Sequence, residues 1–296
     1  LAEETAHWPF VITEAQVWPR HFIPTDAIIS GVMPSGGQLS LTTTWRDDTV
    51  PELASGVGYA GYWKELPTLA PGQYELALDF ATSAYEGVLF PRGFPERGIH
   101  LAMGRPGIDA ASEIPFLKRQ IQSFQVVSGD QWILVLNVSN FHRTYGGFWL
   151  APRVAPSSML QIHANIKTAL NFSIVGSMII IMFYTYMLFQ RRRSDLPALF
   201  LALTCLAIVL RLIGIENLLS YFTEAVDSKL MFEFVTRIEY GSMALVTITF
   251  LEFLRRTFTL VRLPRFIYIA CHSFSILLLL ACLLCPPIVF TKLVGY

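Results

Sequence analysis

The sequence predicts a multi-domain membrane protein: an all-β sandwich or jelly roll over residues 1–158, then an α-helical transmembrane bundle over residues 159–296. Three observations predict it. Of 296 residues, 53% are apolar and only 15% charged, with a mean hydropathy of +0.48, too apolar for a soluble domain of this length. Residues 1–160 carry 10 Lys/Arg against 15 Asp/Glu, whereas residues 161–296 carry 12 against 7, so an acidic half precedes a basic one. That division fits an exported domain joined to helices with cytoplasmic arginines and excludes a nucleic-acid binder. Finally, short alternating runs with turn signals fill the first half, and long apolar runs fill the second.

In chain order, a weak strand at Leu39–Thr43 precedes Gly56-Val57-Gly58-Tyr59-Ala60-Gly61, which matches the G-x-G-x-x-G dinucleotide fingerprint. No apolar strand leads into it and Pro67 blocks a long helix after it. Residues Gly56–Trp63 therefore read as a flexible loop tipped by aromatics. Tyr74–Phe80 follows Pro71-Gly72 and alternates, with Tyr74, Leu76, Leu78 and Phe80 on one face and Glu75 and Asp79 on the other. Weaker strands fall at Val88–Phe90, Ile99–Met103, Ile121–Val127 and Gly147–Leu150. Trp132–Val138 is apolar on both faces and should be central in a sheet. Cys205, Cys271, Cys282 and Cys285 all lie in the second half, so the first half holds no disulfide and rests on its core alone. Its melting temperature should not move with dithiothreitol; a shift would contradict the assignment.

Four spans follow, at about 167–190, 196–215, 236–254 and 266–290. The first holds 23 uncharged residues between Lys167 and Arg191, enough to cross a hydrocarbon core of about 30 Å. Arg191, Arg192 and Arg193 follow the first span, and Arg255, Arg256, Arg262 and Arg265 follow the third. The intervening segment carries Glu216, Glu224, Asp227 and Glu233 against Lys229 and Arg237, which places the N-terminal domain outside. Arg211 and Glu252, near span ends and close to Glu216 and to Arg255 and Arg256, read as interface residues rather than a buried relay. His272, with no acid beside it in sequence, reads as a polar packing contact. Cys282 and Cys285 have C-x-x-C spacing without a βαβ context and read as packed or lipid-facing thiols. The start at Leu1 reads as a mature or trimmed end, and the short tail Thr291–Tyr296 as a C-terminal truncation.

No G-x-S-x-G, H-E-x-x-H, Walker A sequence or metal-spaced His/Cys cluster occurs, and Glu52, Glu65 and Asp79 form no readable acid pair. No enzyme activity and no cofactor are expected in this chain. Tyr59, Tyr62 and Trp63 are three aromatics in five residues, the kind of surface on which sugar rings stack. Lys64, Glu65, Asn140, His142 and Arg143 are candidate polar partners if the two loops meet. Replacing Tyr59 and Tyr62 with alanine should then weaken a ligand without changing the melting temperature. The rival reading plugs the sandwich edge with Trp63 and makes Ser139–Trp149 structural. Asn140 would then bond to backbone, Phe141 and Trp149 would fill the core, and Gly146 or Gly147 would take a positive φ.

Two stretches carry a family resemblance: Val138-Ser139-Asn140-Phe141-His142-Arg143-Thr144-Tyr145-Gly146-Gly147-Phe148-Trp149, and Val50-Pro51 through Tyr59-Ala60-Gly61-Tyr62-Trp63 with Gly72-Gln73-Tyr74-Glu75-Leu76. They resemble the ectodomain of the bacterial seven-transmembrane receptors with diverse intracellular signalling modules (7TMR-DISM). Leu263-Pro264-Arg265 before an apolar helix ending in Cys285-Pro286-Pro287 is similar to the fourth helix of that family's membrane module. The resemblance implies a galactose-binding-like jelly roll outside a bacterial inner membrane, sensing a small molecule or carbohydrate. It also implies seven helices and a cytoplasmic histidine kinase, diguanylate cyclase or adenylate/guanylate cyclase, of which this chain supplies four spans and no effector. The expected partners are the ligand and the lipid bilayer, with a homodimer allowed and no nucleic acid. The alternative is a membrane-anchored carbohydrate-binding or assembly module without signalling output.

Overall fold

The computed structural model describes residues 9–30, 33, 36–41, 44–45, 51–78, 83–117, 119–148, 150–221, 228–258 and 264–294. Its strands are β1 (Phe10–Val11), β2 (Glu14–Pro19), β3 (Gly37–Ser40), β4 (Gly58–Glu65), β5 (Gly72–Leu78), β6 (Ala84–Pro91), β7 (Ile99–Met103), β8 (Gln120–Val126), β9 (Trp132–Asn140) and β10 (Arg153–Pro156). They form two antiparallel sheets, one in the order β1-β10-β5-β8 and one in the order β3-β2-β4-β9-β6-β7. The chain divides into two compact units, Leu1–Asn165 and Ile166–Tyr296.

Alternation builds the first unit. Tyr74, Leu76 and Leu78 of β5 enter one apolar cluster with Tyr62 of β4, Tyr85 and Leu89 of β6, and Trp132, Leu134, Leu136 and Val138 of β9. Phe124 of β8 bridges the two sheets, its ring 4.8 Å from Trp132 of β9, and lies 5.9 Å from its same-sheet neighbour Tyr74. β9 is central, between β4 and β6, as its apolar pattern on both faces predicts. Its outer-face residues Ile133 and Val135 join Ile23 and Phe90. Ala27 and Ile28 of α1 (Thr25–Ser30) pack over that cluster together with Trp63.

Two expectations are corrected here. Residues 58–65 are not a loop tip: they form β4, paired with β2 and β9. Glycines hid it, and one of them is required, because a Cβ on Gly61 would stand 2.6 Å from Ile23 Cγ1. Glu75, placed by alternation on a polar face, is buried, and its Oε2 accepts the N–H groups of Leu160 at 3.0 Å and Gln161 at 3.1 Å. It caps the first turn of α2 (Met159–Arg191), where orphan donors and the helix dipole favour a carboxylate. Gly147 forms a β-bridge to Thr44, while the rest of the strand expected at Gly147–Leu150 includes Trp149, which with Asp79 and Phe80 lies outside the described residues.

The second unit holds helices long and apolar enough to cross a membrane: α2, α3 (Leu196–Ile215), α4 (Ser228–Thr257) and α5 (Arg265–Leu284). The expected fourth span breaks at Cys285, which is extended at φ −106° and ψ 158° before Pro286, and α6 (Pro287–Val294) follows. A residue preceding proline avoids the α region, which accounts for the break. α3 and α4 run antiparallel, joined by Thr204 Oγ1 donating to Thr249 Oγ1 at 3.0 Å and by Arg211 Nη1 donating to the Glu239 carbonyl at 3.3 Å. Gly214 lets the two backbones approach, since a Cβ there would lie 3.0 Å from Glu239 Cα. α5 returns along α4. Near one end Arg237 donates to the Cys282 carbonyl; near the other Glu252 accepts from Tyr268, Arg255 and Arg256, and His272 Nε2 lies 3.8 Å from its carboxylate. The acid that His272 lacked in sequence is thus supplied by the neighbouring helix. Lys167 of α2 pairs with Glu216 after α3 at 2.9 Å, so α2 and α3 are antiparallel as well. These pairings gather Arg191, Arg255, Arg256 and Arg265 at one end of the bundle.

Candidate functional site

β2, β3 and β4 lie side by side at one margin of the six-stranded sheet, with Gln16 opposite both Gln38 and Trp63. Ala15, Val17, Leu39 and Tyr62 point inward, so alternation turns Gln16, Gln38 and Trp63 to the outer face. Around these three a shallow groove of about 240 Å³ is lined also by Ala15, Lys64 and Glu65, neighbours of Gln16 and Trp63 along their strands. Trp63 is half-buried. It packs against the Ile23, Phe90, Ile133 and Val135 cluster, so the edge-plug reading also describes part of its surface. Gln38 donates to Glu14, and the exposed Glu65 carboxylate lies 3.3 Å from Arg92 Nη1. A rigid indole flanked by amide, ammonium and carboxylate groups can carry the apolar face of a ring while polar groups read its substituents.

The other predicted site residues separate from this groove. Tyr62 is buried and its hydroxyl accepts from Trp45 Nε1, so it cannot present its ring to a ligand. Tyr59, on the outer face, is half-buried with its ring 5.0 Å from Phe22. Asn140 is fully buried at the end of β9: its Nδ2 donates to Gly56 O at 2.6 Å and Arg143 O at 2.8 Å, and its Oδ1 accepts from Ser83 Oγ at 2.7 Å. Arg143 is buried beside it. The expectation that Tyr62, Asn140 and Arg143 face a ligand is therefore corrected. These groups fix the segment after β9, where Trp45 lies over Gly146 and over Gly147, which takes φ +94°. Gly56, at φ +71°, closes the same knot, since any Cβ there would overlap the Thr144 carbonyl.

His142 leads to a cluster that sequence reading missed. Its Nε2 lies 3.6 Å from Oε2 of Glu113, a buried carboxyl that accepts from Ser139 Oγ and from the Phe141 N–H at 2.9 Å. Burial pushes the Glu113 carboxyl up to about 7, against the opposing pull of those two hydrogen bonds. Gln16, Gln38 and Glu113 carried no local motif; only the alternation of Ala15, Gln16 and Val17 could have pointed to the first of them. Among the described residues no group of three His, Cys, Asp or Glu side chains is placed to hold a metal ion.

No family model matches the chain, and no curated protein matches it. Among solved structures it is similar to a GH2 beta-galacturonidase from Eisenbergiella tayi, bound to glycerol in one crystal structure and to galacturonate in another. Both match at 12% identity and a TM-score of 0.30, over 49% of this chain and 23% and 24% of that chain. The matched part spans about a quarter of the enzyme's length.

Proposed function

We propose that this chain is the sensing and first membrane portion of a bacterial inner-membrane signalling receptor. Its two-sheet domain, read as a galactose-binding-like jelly roll, faces the periplasm and takes a small molecule or carbohydrate over Trp63. The effector lies outside the chain. The observation that carries this reading is the outer-face groove, where Trp63 stands among Gln16, Gln38, Lys64 and Glu65 on a domain whose chain continues into four apolar helices. Polar bonds between those helices, at Thr204–Thr249, Arg211–Glu239 and Glu252–Tyr268, support a packed bundle able to relay a change rather than a plain anchor. The arginines gathered at one bundle end support a cytoplasmic assignment for that end.

Two measurements test it. In spheroplasts, an impermeant thiol reagent should label a cysteine introduced beside Asp109 but not one beside Arg192; labelling at Arg192 from outside would overturn the orientation. Companion probes at Asp227 and Thr259 fall outside the described residues. For the ligand, a thermal-shift panel of sugars, carboxylates and nucleosides on the full chain in detergent should yield a stabilising compound, since ligand at 100 times its Kd adds about 2.7 kcal/mol. Trp63→Ala should weaken that compound by at least ~1 kcal/mol. Gln16→Ala and Gln38→Ala, on the outer face of the sheet, should weaken it with little change in melting temperature. Wild-type affinity in all three variants would remove the groove as the site.

A further inference from the structure

Glu113 sits where three segments of the first unit meet: its own loop after β7, the end of β9 and the turn that follows. Its carboxylate is satisfied by neutral donors, the Ser139 hydroxyl and the Phe141 N–H, and it is sealed from solvent. Ser139 in turn accepts the Gly107 N–H at 3.1 Å, and Glu113's own N–H donates to the Asp109 carbonyl at 3.1 Å. We propose that Glu113, Ser139 and His142 form a proton-binding site through which the β domain responds to pH. This is independent of the ligand groove.

The geometry serves both protonation states. Facing an ionised carboxylate, the Ser139 hydroxyl donates to Oε1. Once Oε1 carries a proton, that O–H donates to Ser139 Oγ, which keeps its bond from Gly107 and turns its own hydrogen elsewhere. The carboxyl thus keeps a partner on both oxygens in either state, while the Ser139 hydroxyl exchanges its donor role for an acceptor role. A carboxylate clamped by a cation behaves differently, because the cation holds it ionised across neutral pH. Among the described residues, the ionisable groups on the surrounding segments are His142 at 3.6 Å and buried Arg143 after β9, Tyr59 as the cross-strand partner of Ser139, and Arg105, Asp109 and Arg119 on the connection that carries Glu113. Asp109 is turned away, its Oδ1 accepting the N–H groups of Ala111 at 3.0 Å and Ser112 at 2.8 Å. His142, whose Nε2 lies 3.6 Å from the carboxylate, is a neighbour whose attraction to Glu113 changes as Glu113 changes charge.

The position gives proton uptake a mechanical outlet. Phe141, which bonds Glu113, is flanked in sequence by Asn140, which ties the Gly56 carbonyl and Arg143 into one knot. A change in charge at Glu113 acts on the turn 141–143 and through it on the start of β4.

The test is the melting temperature of the full chain in nanodiscs, read by tryptophan fluorescence between about pH 5 and pH 8.5. A carboxyl held above its ordinary range stabilises the fold at low pH, and that stability is lost as pH rises through about 7. The wild-type value should fall by roughly 5–10 °C across the window, whereas Glu113→Gln, whose amide can serve both Ser139 and Phe141, should remove most of that slope. His142→Asn should shift the midpoint without abolishing the transition. A wild-type profile that is flat across the window, or an unchanged slope in Glu113→Gln, overturns the proposal. The wild-type profile decides the matter even if the variant fails to fold.

Discussion

Replacing Asn140 with alanine should lower the melting temperature of the β domain by roughly 10 °C. The full chain can report this directly, because all six tryptophans, Trp8, Trp18, Trp45, Trp63, Trp132 and Trp149, lie in its first half. The size follows from the bonds removed. Asn140 donates to Gly56 O and Arg143 O and accepts from Ser83 Oγ and from Arg143 N at 3.3 Å, all within a buried site. Truncation takes this partner from two carbonyls, a hydroxyl and an N–H; at about 1–3 kcal/mol for each group that finds no substitute, a total of about 3–5 kcal/mol is expected. In a domain of this size each kcal/mol moves the melting temperature by about 2–4 °C. Asn140→Asp should also destabilise, since it keeps the acceptor but loses both donated bonds and adds a buried charge. A near-normal melting temperature combined with lost ligand binding would restore Asn140 as a contact residue and refute the structural role.

The helices were legible because the membrane demands a length and a polarity that no soluble element shares. A run of 23 uncharged residues bounded by Lys167 and Arg191 is too long for a buried strand and too apolar all round for a helix at a water-facing surface. The break at Cys285 was also written in the sequence, in Cys285-Pro286-Pro287, although apolarity alone carries the span on to about residue 290. β5 could be read from period-2 alternation and β9 from a short run apolar on both faces; β4 could not, because three glycines in Gly56–Gly61 lower strand propensity while serving close packing against Thr144 and Ile23. Glu75 marks where alternation stops informing, since it assigns the carboxylate to solvent and only the fold reveals that it caps a helix begun 84 residues later; Glu113, in a loop with no pattern of its own, meets a hydroxyl 26 residues away. The same boundary divided the candidate site. Trp63, Lys64 and Glu65 were found as a cluster in sequence, while their partners Gln16 and Gln38 come from two other strands and share no spacing with them.

Tyr62 then separates a site residue from a core residue most sharply. Alternation along β4 sends it inward, where its ring lies edge-on to Phe148 at 6.0 Å and its hydroxyl accepts from Trp45 Nε1. Tyr62→Ala should therefore cost about 3–5 kcal/mol, the range for deleting a large buried ring, and bring the melting temperature down by about 10 °C with or without ligand. Tyr62→Phe isolates the hydroxyl: it preserves the packing but leaves the Trp45 indole N–H without this acceptor, at about 1–3 kcal/mol. Tyr59→Ala gives the contrast. Its ring is half-buried and meets Phe22 on the outer face, so its loss should cost under about 1.5 kcal/mol. A double Tyr59/Tyr62 alanine variant would lose binding by unfolding and so says nothing about ligand contact. If Tyr62→Ala instead melts like wild type and only ligand affinity falls, β4 is not seated in the core and the groove over Trp63 must be redrawn to include its inner face.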